Sequence, residues 1–461
     1  MLGAVSEHES EVLLLLLRAA PAGPQLLCAH RAAGLRRGGD EWTLPRAPVA
    51  AGEAPGQAAL RCARELGVSL EEEWPLLPCG RWRAHAFGPE RPLSGLFLGL
   101  VAGDADELAR PGQVERLSWL APAELLARWA RDEALVDPRL RAALAALVAL
   151  GPLPAGGDGK AAAAAAVERT CPPDGAWPGA IDLRPGLRVF PVRTPTLPPA
   201  THTNCLLIGD GNELVVIDPA SPWDDEQARL DALLDQLAGE GRRVREVLLT
   251  HHHPDHVSGA AHLAARLGAP VGAHRRTAEL LRGRVKVDHA LEDGHLIELP
   301  ADRPGARPRR LRAHLLEGHA DGHLVFHEEV TNHVVAGDMV AGTGTILIDP
   351  PEGKMSLYLR SLERLAGLGA ALLYPAHGPP IGDPAGLARE YVAHRLMREA
   401  KVLRAVEAGA GPLEDLVPRA YDDTPPFLYP LAARSLLAHL HKLEEEGRVA
   451  REGEAWRALP A

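Results

Sequence analysis

Four histidines and one aspartate fall within ten residues, "THHHPDHVSG", Thr250 to Gly259. Imidazole nitrogen and carboxylate oxygen are donors that zinc accepts, and adjacent pairs of them can serve two neighbouring cations. His251 and His253 are one residue apart, while Asp255 and His256 follow Pro254, which disfavours helix at His253. Taken alone, the run fits a metal site only somewhat better than it fits a solvated histidine-rich loop.

Three later features supply the missing partners. "LLEGHADGH" places His319 after a strand-like run, "HVVAGD" ends a strand at Asp338, and "ALLYPAHG" ends another at His377. The stretch before the histidines, "VREVLLT", reads as a buried strand, so every candidate ligand stands where a strand gives way to a loop. Such positions let side chains converge from several elements, and the glycines beside them permit tight backbone geometry.

In this order the residues resemble the metallo-β-lactamase superfamily pattern, H-x-H-x-D-H followed by a His in a G-H element, a bridging Asp and a final His. The resemblance spans roughly Ile181 to Pro380, with "THTNCLLIG" and "VVIDPAS" similar to the strands that open that fold. It implies an αββα sandwich in which His251, His253 and His319 hold one metal, Asp255, His256 and His377 hold a second, and Asp338 bridges both. Two Zn²⁺ are the expected cofactors, with other divalent metals open. Such a pair can share a hydroxide and polarise an electrophile. Asp255 is the candidate catalytic acid, orienting the hydroxide and assisting the leaving group. His252 is expected to point away from the metals, and His202, His262, His274 and His314 have no matching role. His323 is expected to be a buried hydrogen-bonding group and Asp218 a support beneath the site.

The elements around this constellation divide the chain. "LGPLPAGGDGKAAAAAAVERTCPPDGAWPG" is rich in Gly, Pro and Ala and reads as a connection with at most one short helix. The expected organisation is an N-terminal domain at 1–150, a linker at 151–179, the metal-binding domain at 180–382 and a small domain at 383–461. The last segment shows helical periodicity and then two short strands, the pattern of a winged helix. "GDMVAGTGT", "YPAHGPPI", "HRLMREAKVL" and "LLAHLHKLEEEGRV" resemble the β-lactamase-like protein 2 group, which pairs the two domains and includes an animal single-stranded-RNA endoribonuclease.

The N-terminal "GDEWTLPRAPVAAGEAPGQAALRCARELGV" resembles a Nudix box, and "GLFLGLV" and "VERLSWLAPAEL" resemble the segments that close that α/β/α fold; "RWRAHAFGPERPLSGLFL" is similar to Nudix enzymes acting on coenzyme A derivatives. The glutamate cluster that would hold Mg²⁺ is incomplete. Arg61, Glu65 and the upstream Glu53 remain, but Cys62 replaces a glutamate and the opening glycine has become Arg46 or Ala47. A Nudix-like fold without Nudix hydrolysis is expected.

Across its 461 residues the chain carries a formal net charge of -11, which argues against coating nucleic acid by bulk electrostatics. Acidic Glu7, Glu9 and Glu11 precede the apolar "VLLLLLR" where a signal peptide would be basic, so this run reads as a buried strand and the chain as cytoplasmic, with no membrane partner. Its five cysteines are widely spaced and form no C-x-x-C pair. The functional expectation is a binuclear metallohydrolase of a small-molecule ester or thioester. The alternatives are a single-stranded-RNA endoribonuclease and a catalytically silent sensor, and homo-oligomerisation is left open.

Overall fold

The structure is a computed structural model that describes residues 9–32, 35, 39–70, 76–83, 93–101, 108, 113–153, 157–171 and 179–460. Much of the segment compared with coenzyme A-directed Nudix enzymes, residues 84–92, lies outside the described residues, as do parts of the Gly/Pro/Ala-rich connection. The chain forms two compact units, residues 1–191 with 304–306, and residues 192–303 with 307–461. Among the described residues no helix is long and apolar enough to cross a membrane.

The first unit is built on an eight-stranded mixed sheet. Its central strand, Glu9–Arg18, contains the leucine run and pairs in parallel with Leu93–Leu100 and antiparallel with Gln25–Arg31. Side chains alternate across a strand, and here both faces are covered, so no polar position interrupts the run. Leu13, Leu15 and Leu17 enter a core with Leu140, Leu144 and Val167, whereas Val12, Leu14 and Leu16 enter another with Ala58, Ala59 and Cys62. The alanine run does form a helix, Gly157–Glu168, and it packs into the first of these cores through Ala163, Ala164 and Val167. Alanine occupies both buried positions (Ala163, Ala164 and Ala166) and exposed ones (Ala161 and Ala165), so no polar contrast marks the packed face in the sequence.

The second unit carries the histidine-rich run. Strands Val271–Ala273, Arg243–Leu248 and Glu213–Ile217 lie parallel, with His202–Ile208 antiparallel beside the last. A second sheet orders Leu296–Leu299, Arg309–Leu315, Leu324–Glu328, His333–Gly337 and Leu372–Pro375, antiparallel except for the final pair. Backbone bonds join the two sheets at the ends that carry the candidate ligands: Leu324 N–H donates to the Thr250 carbonyl (2.8 Å) and Asn204 N–H to that of Ala376 (2.8 Å). Helix Asp224–Gly239 packs against the first sheet and helix Met355–Gly367 against the second, completing an αββα arrangement.

Helices Pro384–Glu407, Leu413–Ala420 and Tyr429–Glu445 then precede the hairpin Val449–Glu452/Ala455–Ala458, around a core of Val402, Leu416, Leu436, Leu440 and Trp456. Ala438 of the last helix lies in the same apolar cluster as Tyr358 and Leu362 of helix Met355–Gly367, so this module belongs to the second unit.

Gly318 sets how closely the second sheet approaches helix Met355–Gly367. It has φ +117°, and a Cβ there would stand 2.2 Å from the Tyr358 nitrogen. Gly318→Ala is expected to cost about 3 kcal/mol, combining overpacking against backbone with an unfavourable φ. Chemical denaturation checks this, and a midpoint equal to that of the parent chain would show that the helix yields without cost.

Candidate metal centre

His251 and His253 leave the strand Arg243–Leu248 on an extended segment, and Pro254 starts the single helical turn Pro254–Val257 that carries Asp255 and His256. His319 follows Gly318, Asp338 ends the strand His333–Gly337, and His377 follows Leu372–Pro375. All seven predicted site residues are brought together. Donor atoms of His251, His253 and His319 lie within 4.8 Å of one another, as do those of His251, His256 and Asp338, and those of Asp255, His256 and His377.

Asp338 stands between the sets. Its Oδ2 is 3.5 Å from His319 Nε2, while its Oδ1 is 3.4 Å from His377 Nε2 and 3.6 Å from His256 Nε2. Asp255 Oδ2 is 3.6 Å from His377 Nε2, and His253 Nδ1 is 3.1 Å from His319 Nε2.

The orientation of four rings is fixed from behind. His251 Nδ1 lies 3.0 Å from Thr250 Oγ1, His256 Nδ1 2.9 Å from Asp218 Oδ2, His319 Nδ1 3.0 Å from the Leu347 carbonyl, and His377 Nδ1 2.9 Å from the His202 carbonyl. Each contact leaves Nε2 facing the centre, the outer hydrogen bonding by which metal-site histidines are oriented. Asp218 also accepts from Thr250 N–H and Oγ1–H, and so supports the site from below as its place in "IDP" suggested.

The donor set fits cations on an observation internal to the chain: His251 Nε2, His256 Nε2 and Asp338 Oδ1 are buried and make no hydrogen bond. Buried polar atoms ordinarily find partners, and a divalent cation satisfies three such converging atoms together. The protonation pattern agrees. Burial pushes His251 well below the usual imidazole range and His319 down to about 4, keeping them neutral as ligands must be. Burial opposes charge on His256 and His377 too, but Asp338 outweighs it and raises both. Burial alone would raise the Asp338 carboxyl, yet His377 and His256 hold it well below the usual carboxylate range. Without cations, protons balance that carboxylate.

His252 stays out of this cluster and faces Glu352, with 3.4 Å between its Nε2 and Oε2, while the same oxygen is 3.7 Å from His253 Nε2. Glu352 is a functional neighbour that the sequence did not mark; its loop has neither periodicity nor a motif. His323 is buried and accepts a bond from Asp338 N–H (3.1 Å), fixing the turn that presents the bridging carboxylate. His202 contributes its carbonyl rather than its ring. His262 pairs with Asp231, His274 caps helix Arg275–Leu280, and His314 lies on the strand Arg309–Leu315.

A cavity of about 230 Å³ opens over the centre, lined by His253, Asp255, His319, Asp338 and His377 below and by Leu197, Thr343 and Arg434 above.

Comparison with known proteins places these observations in a family. The sequence profile of the Metallo-beta-lactamase superfamily matches residues 198–377, and that of the Beta-lactamase associated winged helix domain matches residues 413–456. Lactamase-like protein adaB of Aspergillus niger is 31% identical over 269 residues, 55% of this chain and 78% of that protein. The Beta-lactamase-like protein 2 homolog of Drosophila melanogaster is 29% identical over 54% of this chain and 84% of its own length. An Atrochrysone carboxyl ACP thioesterase, AgnL7 of Paecilomyces divaricatus, is 30% identical over 44% of this chain and 58% of its own length. The chain is thus homologous to beta-lactamase-like protein 2, and with its αββα core, its converging histidines and its C-terminal winged helix it belongs to the metallo-beta-lactamase superfamily.

Proposed function

We propose that the second unit is a binuclear metallohydrolase of small-molecule thioesters or esters. The observation that carries this is Asp338, whose two oxygens face two different imidazole sets. His251, His253 and His319 would hold one cation, Asp255, His256 and His377 the other, and Asp338 would join them. Zinc suits a set rich in imidazole with few carboxylates. When bound, the cations would supply activated water and polarise the carbonyl.

The chain's own residues would do the rest. Asp255 borders the cavity, and its carboxylate would take one water proton and deliver it to the departing sulfur or oxygen. The C–S or C–O bond breaks as the water oxygen joins the carbonyl carbon, giving an acid and a thiol or alcohol. The cavity, about 230 Å³, is smaller than the roughly 300–1,000 Å³ of drug-sized sites. It suits a short acyl group with the remainder of the molecule outside. The thioesterase name of the Paecilomyces relative supports a thioester above an RNA phosphodiester.

The first unit we read as a Nudix-like fold without its hydrolase chemistry. Arg61 bonds both oxygens of Glu53 (2.9 Å each) and one of Glu65 (3.2 Å), and Arg61 with the Ala50 N–H holds the Glu53 carboxyl down to about 2. These carboxylates are committed to a guanidinium, and Cys62 is buried in the apolar core.

The test is metal analysis of the purified chain, then a side-by-side screen of acyl thioesters, lactones and single-stranded RNA, with His251→Ala as control. Metal-dependent thioester turnover that is lost in the control is the expected result. Cleavage of RNA alone would replace this reading with a nuclease, and no turnover by a fully metal-loaded chain would replace it with a binding protein. Nucleoside diphosphate derivatives with Mg²⁺ should be left intact.

A further inference from the structure

The C-terminal module reaches the cavity through Arg434 and braces part of its lining. The segment from Asp338 to Asp349, which supplies Ala341, Thr343, Gly344, Thr345, Ile346 and Leu347 to the lining, is held by three of its side chains. Tyr391 Oη accepts from Ala341 N–H (3.2 Å), Arg395 donates to the Ile346 carbonyl, and Arg434 grips Asp349. Arg434, from helix Tyr429–Glu445, also reaches the cavity itself.

Its geometry is that of a receptor rather than a free surface charge. Nε donates to Asp349 Oδ1 (2.6 Å) and Nη2 to Oδ2, a bidentate grip that fixes the plane of the guanidinium. Nη1 has no hydrogen-bond partner among the described residues, and the side chain is 52% exposed. Arginine and lysine side chains are otherwise absent among the residues lining the cavity, whose other charged groups, Asp255, Asp338, Asp349 and Glu352, are acidic. A neutral acyl chain would have no use for a cation held there. A second anionic group on the substrate, away from the scissile bond, would.

We propose that Arg434 of the winged-helix module, pre-positioned by Asp349, binds a carboxylate or phosphate carried by the substrate, so that the enzyme selects anionic thioesters or esters over neutral ones of equal length. This rests on the thioesterase reading above, and it makes the winged helix a part of the substrate site. Asp349 is a positioning residue, acting through Arg434.

The test uses the full-length, metal-loaded protein and three thioesters. Butyryl-pantetheine is neutral, succinyl-pantetheine carries its charge on the acyl side, and butyryl-phosphopantetheine carries it on the leaving side. One or both charged compounds should exceed the neutral one in kcat/KM by about 10- to 100-fold, the worth of a charge-assisted hydrogen bond; which one does so locates the anion. Arg434→Ala should abolish the preference, Arg434→Lys should restore part of it, and Arg434→Glu should reverse it.

Calorimetric binding of the matching non-hydrolysable thioethers gives the same comparison without turnover. A missing wild-type preference for charged thioethers, or one that survives Arg434→Ala, overturns this inference even if every thioester is hydrolysed. Conversely, an Arg434-dependent binding preference without hydrolysis would sustain it and remove the thioesterase reading instead.

Discussion

Asp338→Ala is expected to reduce thioester hydrolysis by at least about 10³-fold and, on the proposed binuclear reading, to lower the metal content from two cations per chain to one or none. The carboxylate is 11% exposed, and its Oδ1 and Oδ2 face His256 with His377, and His319, at 3.4 to 3.6 Å. On the binuclear reading, removing it would delete a ligand from both cation positions and leave the buried imidazoles facing one another. Polarisation and water activation by paired cations contribute several kcal/mol to such reactions, and each 1.4 kcal/mol is about tenfold in rate, which sets the size of the effect. Asp338→Asn separates charge from shape, since the amide fills the same space without neutralising two cations. Elemental analysis and kcat/KM on one thioester decide the matter. Two metals and full turnover in either variant would mean that Asp338 does not join the sets, and the binuclear reading would fall.

The parts of this site that could be read from the sequence share one property: each is a chemically distinctive residue at a strand end. His251, His253, Asp255 and His256 fall within six residues, and His319, Asp338 and His377 each stand beyond the end of a strand and close to a glycine. The ring supports were only partly legible. Asp218 could be suspected from its position after an apolar strand, but the carbonyls of Leu347 and His202 carry no side-chain signal and meet their histidines only on folding. Glu352 sits in a loop contacting residues about a hundred positions earlier. Arg434 looks in sequence like any solvated arginine on a helix, and its place over the cavity depends on how the C-terminal helices dock. Similar logic holds for the fold. The winged helix announced itself by periodicity, whereas the alanine-run helix shows none because alanine stands on both its buried and its exposed face. The leucine strand hides its alternation because both of its faces are buried.

Asp218→Asn should weaken metal binding by about 10- to 100-fold, the usual range for losing an outer partner of a ligand histidine, although Asp218 reaches the centre only indirectly, through His256 and, by way of the Thr250 hydroxyl, His251. The reason is tautomeric. As a carboxylate, Asp218 accepts from the Thr250 N–H and hydroxyl and from His256 Nδ1, which leaves the His256 Nε2 lone pair free for a cation. An amide can accept at only one of its two ends. If its NH₂ faces His256, Nδ1 must accept and the proton moves to Nε2, the atom 3.6 Å from Asp338 Oδ1, where it blocks ligation. If the amide is turned the other way, the NH₂ meets the Thr250 N–H and a buried donor is left unpaired. Asparagine tolerates the positive φ of +51° at this position, so backbone strain does not confuse the result. Asp218→Ala adds that strain and strands all three donors, and should cost at least about 4 kcal/mol of stability, summing roughly 1 or more for each unsatisfied buried group and about 1 for the left-handed backbone. Chelator competition measures the affinity, and nitrogen NMR of His256 reports which ring nitrogen carries the proton. If Asp218→Asn keeps both the parent affinity and a proton on Nδ1, then the orientation of His256 is set elsewhere, and the single turn Pro254–Val257 would be the element holding it.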